Sequence, residues 1–389
     1  MIAPANRLSS VKEYYFSRKL KEISEMQAEG KNILNLGIGN PDLPPSEETL
    51  KALHKNSAQA DKHGYQSYSG NPNLRKAFVD WYERHFMVRL HPDKETLPLI
   101  GSKEGIMHIS MAFVNPGDGV LVPDPGYPAY KSVADLVGAK VYIYNLKEEN
   151  NWLPDFDELE QMNLENIKLM WINYPNMPTG AKADYKDLEK IVNFGIKHKI
   201  LIVNDNPYSF ILNNRPVSIF NVPQAKKIAL ELNSLSKSHN MAGWRIGVVI
   251  GNENYISNIL KVKSNVDSGM FLPLQLAAVE ALNSPQSWYD NLNTEYSKRR
   301  KIAEEIMNVL QCNFDKKQSG MFLWAKIPEG YKNSYEFSDY LLYNYHLFIT
   351  PGGIFGKNGE QFIRISLAGN FDNLKIALER LSVYKESLS

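Results

Sequence analysis

A lysine set among hydroxyl groups is the feature of this sequence with the clearest chemical potential. Lys237 lies between Ser236 and Ser238, shortly after an apolar run, and Arg245 follows eight residues later. A lysine forms a Schiff base only while partly deprotonated, and a nearby positive charge or a dry pocket lowers its pKa toward that state. Hydroxyl groups and a guanidinium suit a phosphate monoester, because an arginine makes two parallel charge-assisted hydrogen bonds. We interpret Lys237 as an amine that holds a carbonyl cofactor beside its phosphate, although the stretch alone fits a solvated lysine in a polar turn equally well.

Further polar groups occur where predicted strands end, and ligands in open parallel sheets bind beyond the carboxyl ends of the strands. These groups are Gly101 and Ser102 after 97–100, Asn173 after 167–172, Asp205 and Tyr208 after 200–203, and Lys237 after 228–232. A glycine and a hydroxyl at a helix start favour an anion. An acid can keep a pyridine nitrogen protonated, which makes the ring an electron sink, and a phenol can donate to the ring oxygen. Singly, these residues also fit caps, turns or core aromatics; together they match the functional groups of pyridoxal 5′-phosphate.

The elements that must position these groups are predicted from hydrophobic periodicity. Apolar runs that alternate with amphipathic stretches favour crossover connections and a mainly parallel sheet between helices. The seven predicted strands are 97–100, 120–122, 141–144, 167–172, 200–203, 228–232 and 246–250. Beyond about residue 283 a long charged helix, 287–310, precedes strands and helices that no longer alternate, ending in a helix at 372–384, which is typical of a smaller α+β domain. We predict an α/β fold with a large domain at 46–285 and a small domain, including an N-terminal arm, formed by 1–45 and 286–389.

Composition argues against several classes of partner. The 389 residues carry 44 basic and 43 acidic side chains, and this balance gives no electrostatic footprint for nucleic acid or anionic lipid. No apolar run approaches the ~18 residues of a transmembrane helix, and residues 1–16 contain no apolar core of signal-peptide length. Cys312 is the only cysteine and the histidines form no His-x-x-x-His pair, so neither an intrachain disulfide nor a metal site is indicated. We predict a cytoplasmic protein that binds small molecules.

Eight motifs together resemble the class I and II aminotransferases of the aspartate aminotransferase fold type, over nearly the whole chain. The motifs are 37–42 (GIGNPD), Tyr65 with Gly70, 101–103 (GSK), 124–128 (DPGYP), 173–180 (NYPNMPTG), 205–208 (DNPY), 234–247 (SLSKSHNMAGWRIG) and 362–366 (FIRIS). Their order and spacing follow the family. The aromatic arm of Tyr14, Tyr15 and Phe16, with 37–45 and 268–272, is most similar to the branch that contains the LL-diaminopimelate aminotransferases.

The resemblance implies pyridoxal 5′-phosphate as cofactor and a residue for each of its parts. Lys237 would carry the cofactor as a Schiff base, Asp205 would pair with the pyridine nitrogen, and Tyr208 would bond the ring hydroxyl. The other implied cofactor-binding residues are Ser102, Lys103 through its backbone N–H, Ser234, Ser236 and Arg245 at the phosphate, Tyr127 stacked on the ring, and Asn173.

The resemblance also implies substrate-binding residues and a second subunit. Arg364 would clamp the substrate α-carboxylate, and Gly39, Ile38 and Tyr15 would lie at the substrate. Tyr65 would reach the phosphate of a neighbouring subunit, so a homodimer with shared active sites is expected, and the loop 268–271 is expected to visit the partner's site.

One position departs from the family pattern. The second asparagine of Asn-x-Pro-x-Asn-Pro-Thr-Gly is replaced by Met177. A thioether cannot donate to the ring oxygen, so Tyr208 is expected to be its only side-chain donor unless Asn176 or a water molecule takes over.

The predicted reaction is transfer of an amino group between an L-amino acid and a 2-oxo acid, with 2-oxoglutarate as the expected acceptor. Lys237 would move the Cα proton as base and then as acid, which needs a positioned group of tunable pKa. A lyase that eliminates a β-substituent at a carbon–sulfur bond needs the same cofactor residues and stays an alternative. A non-catalytic transcriptional regulator of this fold would need a DNA-binding segment, and no basic helix-turn-helix precedes the glycine turn, so this alternative is more remote.

Overall fold

The structure is a computed structural model that describes residues 2–8 and 15–381. Tyr14, the first aromatic residue of the predicted arm, and residues 382–384, the end of the predicted closing helix, lie outside the described residues. None of the helices in the described ranges combines the length and the apolar character that crossing a bilayer requires.

The described chain contains twelve strands, and seven of them form one large sheet. The strands are β1 (Leu34–Asn35), β2 (Thr96–Leu99), β3 (Gly119–Asp124), β4 (Lys140–Asn145), β5 (Ile167–Ile172), β6 (Leu201–Asp205), β7 (Ala229–Ser234), β8 (Gly247–Gly251), β9 (Phe322–Lys326), β10 (Leu347–Phe348), β11 (Thr350–Pro351) and β12 (Phe362–Ser366). The order of the large sheet is β2-β8-β7-β6-β5-β3-β4, and β8 alone runs antiparallel to its neighbours. The predicted mainly parallel seven-stranded sheet is confirmed.

Helices connect these strands and cover both faces of the large sheet. They are α1 (Tyr15–Ala28), α2 (Glu47–Ser57), α3 (Pro72–Phe86), α4 (Ser102–Phe113), α5 (Pro128–Leu136), α6 (Phe156–Glu160), α7 (Tyr185–His198), α8 (Leu235–Ser238), α9 (Glu253–Lys263), α10 (Leu272–Leu282), α11 (Gln286–Val309), α12 (Ser334–Tyr345) and α13 (Phe371–Arg380). Leu169 and Trp171 of β5 enter the apolar core beneath α4, α5 and α9, whereas Met170 and Ile172 enter the core beneath α3, α7 and α10. Successive strand residues point to opposite faces, so a continuous apolar run is what a sheet covered on both sides requires.

Local sequence signals fix the element ends that carry the site. α4 begins after Gly101, whose φ of 76° favours glycine. Ser234, the last residue of β7, caps the one-turn helix α8, because its hydroxyl accepts from the Ser236 backbone N–H at 3.1 Å. Lys237 therefore lies on a short turn that is fixed directly to the end of a central strand.

The smaller part of the structure is built around an antiparallel sheet in the order β11-β12-β9 and a core shared by α11, α12 and α13. The Asp124 carboxylate at the end of β3 accepts from the backbone N–H groups of Lys357 and Asn358 at 2.9 and 3.0 Å. This contact fixes the turn before β12 to the large sheet. The predicted domain boundaries at 45/46 and 285/286 stay a prediction.

The strands of the large sheet begin and end within about two residues of their predicted positions, but the one-turn helix α8 and the longer helices α9 and α10 have no predicted counterpart. α10 packs against α2 and α3 and is apolar on nearly all sides, so it lacks the amphipathic period that marks a helix in the sequence. α9 has a sequence signal in its cap Asn252, whose side chain accepts from Asn254 N–H at 2.9 Å. That cap was the missed signal for α9.

A buried carboxylate holds β7, the strand that leads to Lys237. Glu231 is fully buried and accepts hydrogen bonds from Tyr82 Oη (3.1 Å), Asn204 Nδ2 (2.9 Å), Ser218 Oγ (2.9 Å) and Ile219 N–H (2.9 Å). Burial raises the pKa of Glu231, although these four donors favour the ionised form. The carboxylate thus joins three separate segments beneath the sheet.

Replacing Glu231 by alanine leaves several buried donors without an acceptor, and each such group costs ~1–3 kcal/mol. We expect Glu231→Ala to lower the free energy of unfolding by about 3 kcal/mol or more. Urea unfolding at fixed protein concentration, followed by circular dichroism, measures this change. The control is Glu305→Ala, at an exposed position of α11; equal unfolding midpoints for the two variants would contradict the prediction.

Candidate active site

A cavity of about 390 Å³ lies beyond the carboxyl ends of β5, β6 and β7. It collects most of the residues that the sequence singles out. The predicted site residues that line it are Ile38, Gly39, Ser102, Lys103, Tyr127, Asn173, Asp205, Tyr208, Ser234, Ser236, Lys237, Arg245 and Arg364. Tyr15 and Tyr65 are the predicted site residues that do not line it.

The Lys237 amine lies in the cavity and is largely desolvated. Its Nζ donates to the Gly39 carbonyl at 2.8 Å. The pKa of Lys237 is lowered to about 8, first by burial, which disfavours the charged amine, and then by repulsion from the guanidinium groups of Arg364 and Arg245. A substantial fraction of this amine is therefore neutral, and nucleophilic, near physiological pH.

A buried carboxylate lies at the end of β6. The Tyr130 hydroxyl donates to Asp205 Oδ2 at 2.9 Å, and the Asn173 side-chain amide donates to the Asp205 backbone carbonyl. Asp205 Oδ1 is buried and has no hydrogen-bond partner among the described residues. Burial raises the pKa of Asp205 to about 6, against the lowering effect of Tyr130. A buried acceptor without a donor costs free energy, so this oxygen suits a cationic N–H group such as a pyridinium.

Hydroxyl groups, a helix start and a guanidinium meet at another end of the cavity. The Ser234 and Ser236 hydroxyls are hydrogen-bonded at 2.8 Å, beside the free backbone N–H groups at the start of α4, where Ser102 lies. A Cβ at Gly101 would lie 2.2 Å from Arg245 Nη2, so the guanidinium approaches this backbone as only glycine allows. These groups together favour a phosphate monoester.

The Arg364 guanidinium lies between two aromatic rings. Its central carbon is 3.9 Å from the centroid of Phe322 and 4.6 Å from that of Phe355, both within cation–π range. Arg364 Nη2 donates to the Gly37 carbonyl at 3.0 Å. A buried, stacked guanidinium of this kind is held in the orientation that bidentate binding of a carboxylate needs.

Met177 contacts this guanidinium directly. Its Sδ accepts from Arg364 Nη1 at 3.2 Å, and its backbone N–H donates to Asn173 Oδ1 at 2.7 Å. The neighbouring Asn176 uses its side-chain oxygen to accept from the Thr179 hydroxyl at 2.8 Å and is not part of the cavity lining. The structure therefore gives no support to Asn176 as the substitute for the donor that Met177 lacks.

Two tyrosines of the predicted set are held by edge-to-face ring contacts. The Tyr127 ring lies 5.6 Å from Tyr130 at 88°, and the Tyr208 ring lies 5.8 Å from Phe322 at 70°. Both line the cavity. A Cβ at Gly39 would lie 2.5 Å from the Phe322 ring, so this position also has space only for glycine.

Tyr15 does not line the cavity, and its predicted role at the substrate stays a prediction. Its ring packs 5.7 Å from Tyr335, away from the cavity lining, and burial raises its pKa. Phe16 and Leu20, one helical turn apart on α1, line the cavity instead. The helical register decides this, because residues i and i+4 share a face whereas Tyr15 lies beside that face. Tyr65 is 93% exposed, and its predicted role at a partner's phosphate stays a prediction.

Sequence reasoning missed several residues that shape the site, with Tyr130 and Phe322 as the main examples. Tyr130 follows Tyr127 by three residues on α5, and this helical spacing is a signal that could have identified it. Phe322 lies in β9 and meets the site through the pairing of β9 with β12, which no local pattern reveals.

A further missed group supports the turn that carries Lys237. His239 Nε2 lies 3.1 Å from the Tyr289 hydroxyl, and its Nδ1 lies 2.8 Å from Ser238 Oγ. Trp288 Nε1 donates to the Ser238 carbonyl at 2.9 Å. Burial lowers the pKa of His239 to about 3, so the ring is neutral. Its hydrogen bonds connect Ser238, next to Lys237, to Tyr289 of α11.

A cluster of side chains that could ligate a metal ion lies outside the cavity. Ligand atoms of Glu104, His108 and Asp267 lie within 4.8 Å of one another. The buried Lys263 ammonium contacts Asp267 and lies 3.8 Å from Glu104 Oε1, so a cation of the chain itself already neutralises these carboxylates. The cluster joins α4, α9 and the loop before α10.

Several known proteins are similar to this chain over nearly its whole length. The family profile described as "Aminotransferase class I and II" matches residues 31–381. The LL-diaminopimelate aminotransferase of Aquifex aeolicus (strain VF5) is 40% identical over 98% of this chain and 99% of that protein. The apo structure of BacF from Bacillus subtilis has a TM-score of 0.94 at 35% identity and covers 99% of each chain. A double mutant of the Thermus thermophilus aspartate aminotransferase shares the fold, with a TM-score of 0.91 over 98% of this chain and 100% of that one at 24% identity.

The cofactor-free protein is expected to show the lowered pKa of Lys237 directly. An amine reacts with an electrophile only when neutral, so the rate of labelling at Lys237 should rise with pH through a midpoint near 8. Arg364→Met removes one of the two repelling cations and is expected to raise that midpoint toward the ordinary lysine value of about 10.4. Quantitative mass spectrometry of the labelled Lys237 peptide gives the rates.

The matched control is Arg89→Met, which removes one positive charge at a side chain that is 88% exposed. Its midpoint should equal that of the unchanged protein. If Arg364→Met leaves the midpoint where it is, the electrostatic coupling between Arg364 and Lys237 is refuted.

Proposed function

The chain belongs to the class I and II aminotransferases, and on that premise we propose the substrates and the residues of its reaction. It is a pyridoxal-phosphate-dependent transaminase that moves an amino group between an amino acid and a 2-oxo acid. We propose an L-amino acid as donor and 2-oxoglutarate as acceptor. One observation carries the residue assignment: a single cavity holds an amine of lowered pKa, a buried carboxylate oxygen without a donor, and a guanidinium stacked between two rings.

The chain's residues fit the cofactor part by part. When bound, pyridoxal phosphate supplies an aldehyde that condenses with amines and a ring that stores the electron pair released at Cα. We assign Asp205 to the pyridine nitrogen. A cationic N–H would donate to Oδ1, which has no partner among the described residues, and would keep the carboxylate ionised. Tyr208 is assigned to the ring hydroxyl and Tyr127 to the ring face. The phosphate is assigned to Ser102, the Lys103 backbone N–H, Ser234, Ser236 and Arg245.

The remaining polar groups are assigned to the substrate. Arg364 would bind the α-carboxylate, and the thioether of Met177 on Nη1 is a weak acceptor that a carboxylate can displace. Lys237 would take the proton from Cα as a base and then deliver a proton as an acid, and a pKa near 8 suits both roles at physiological pH. The Gly39 carbonyl, which accepts from Nζ, would keep the amine within reach between these steps.

The name of the 40%-identical relatives makes LL-diaminopimelate a donor to test. The β-eliminating lyase uses the same cofactor residues and differs in its products. No residue of the cavity decides between the two reactions, so the products must be measured.

The test uses the purified, cofactor-loaded protein. We expect a 2-oxo acid to form from the amino donor only when 2-oxoglutarate is present, with no release of pyruvate and ammonia. Borohydride reduction is expected to label Lys237. Lys237→Ala should lose both the label and more than 99% of the activity, since a base of this kind contributes about 10²–10⁴-fold. Lys51→Ala, at a side chain that is 67% exposed, is the control. Pyruvate and ammonia without an acceptor would replace the transaminase assignment by the lyase.

We also propose that two copies of the chain share their active sites. Several apolar side chains are exposed on one surface, where the loop 65–69 lies against the loop 267–271 and a Cβ at Gly269 would be 2.6 Å from the Gln66 carbonyl. The exposed residues are Tyr65 (93%), Tyr68 (45%), Val266 (61%) and Phe271 (38%). Adjacent exposed apolar side chains of this kind mark an interaction surface, and a twofold dimer would bury them twice.

Shared sites predict complementation between two variants. In a mixed dimer of Tyr65→Ala and Lys237→Ala chains, one of the two sites receives both an intact Lys237 and the partner subunit's Tyr65. We expect each variant alone to be weakly active and a refolded equimolar mixture to recover about a quarter of the unchanged activity, because half of the dimers are mixed. Steady-state assays after refolding measure this. A mixture no more active than the mean of the separate variants would show that the sites are not shared.

A further inference from the structure

One wall of the cavity is apolar and comes from α1 and the turn after β1, which lie outside the large sheet. Phe16 and Leu20 lie one turn apart on α1, and Ile38 lies in the turn after β1. The Phe16 ring packs edge-to-face on Phe348 at 6.5 Å, which fixes this wall to β10, the strand that pairs with β1. Leu20 remains 36% exposed although it lines the cavity. An exposed leucine on the wall of a concave site gains from contact with an apolar group.

The charges on the lining are strongly asymmetric. Four of the described lining residues are basic: Lys103, Lys237, Arg245 and Arg364. Asp205 is the one acidic side chain among them, and it is buried at the end of β6 with one oxygen held by Tyr130. Arg245 and Arg364 are assigned to the phosphate and the α-carboxylate, which leaves the Lys103 side chain as the cation that repels an ammonium group on a donor side chain. Such a group would also find no carboxylate partner, because the second Asp205 oxygen is assigned to the pyridine nitrogen.

We propose that the donor is an L-amino acid with an uncharged, apolar side chain, which packs against Phe16, Leu20 and Ile38. The inference rests on the proposed transamination and specifies its donor class. Donors whose side chain carries an ammonium group, alone as in L-lysine or beside a carboxylate as in LL-diaminopimelate, are poor substrates. An anionic side chain meets attraction from the Lys103 side chain, so the lining is compatible with 2-oxoglutarate as acceptor.

Steady-state kinetics over a panel of donors is the first test. With 2-oxoglutarate fixed, we expect kcat/KM for L-leucine and L-phenylalanine to exceed that for L-lysine and LL-diaminopimelate by about 10-fold or more. A higher kcat/KM for LL-diaminopimelate than for L-leucine overturns the inference and leaves the transaminase assignment standing.

Equilibrium binding gives a test that does not require turnover. Isothermal titration of the cofactor-loaded protein compares heptanoate with 6-aminohexanoate, two unbranched carboxylates with chains of equal length, of which only the second ends in an ammonium group. We expect the first to bind at least about 10-fold more tightly. Equal or tighter binding of 6-aminohexanoate overturns the inference, even if no donor is turned over and the proposed reaction itself has failed.

A charge placed on the wall should reverse the preference. Leu20→Glu puts a carboxylate at a partly exposed position of α1 and is expected to shift the ratio of the two dissociation constants by about 10-fold toward 6-aminohexanoate. Ile376→Glu is the matched control, an aliphatic side chain of α13 that is 40% exposed and does not line the cavity. The same ratio in both variants shows that Leu20 does not face the side chain of the bound ligand and overturns the inference.

Discussion

The hydrogen bond from the Lys237 amine to the Gly39 carbonyl joins residues 198 positions apart in the chain. A largely buried amine needs such an acceptor, because desolvation without a hydrogen bond is costly. The bond fixes the glycine turn of 37–39 across the cavity from α8. The same turn receives Arg364 at the Gly37 carbonyl, so one stretch of backbone positions both the amine and the guanidinium.

Around this bond, each chemical group lies at the end of a regular element. Asp205 ends β6, Ser234 ends β7, and Gly101 precedes α4, so the geometry of the sheet decides the distances between them. Buried polar groups beneath the sheet hold those ends in place: Glu231 binds four donors, and Asp124 receives the turn before β12. The interactions that stabilise the fold therefore also fix the distances between the groups of the site.

Much of the large sheet, and of the residue set assigned to the cofactor, could be predicted from the sequence, because short stretches of sequence carry the signals for both. Apolar runs mark the strands, and the polar residues that follow them, such as Asp205, must gather at one edge of a parallel sheet. The residues that were missed or misplaced depend on tertiary contacts. Phe322 meets Arg364 through an antiparallel pair of strands, and a single residue of helical register puts Phe16 rather than Tyr15 on the cavity wall. α10 was missed because apolar residues on nearly all of its sides leave no helical period in the hydrophobic pattern of the sequence.

The order of these residues along the chain has a consequence for biosynthesis. The groups assigned to the cofactor lie between Ser102 and Arg245, whereas Arg364, which we assign to the substrate carboxylate, belongs to β12, the last strand of the described chain. β1 has its hydrogen-bonding partner in β10, which is synthesised more than 300 residues later. Because synthesis proceeds from the N-terminus and domains fold as units, a nascent chain can complete its cofactor half early. The substrate end of the site is assembled only after β10 and β12 have also been synthesised.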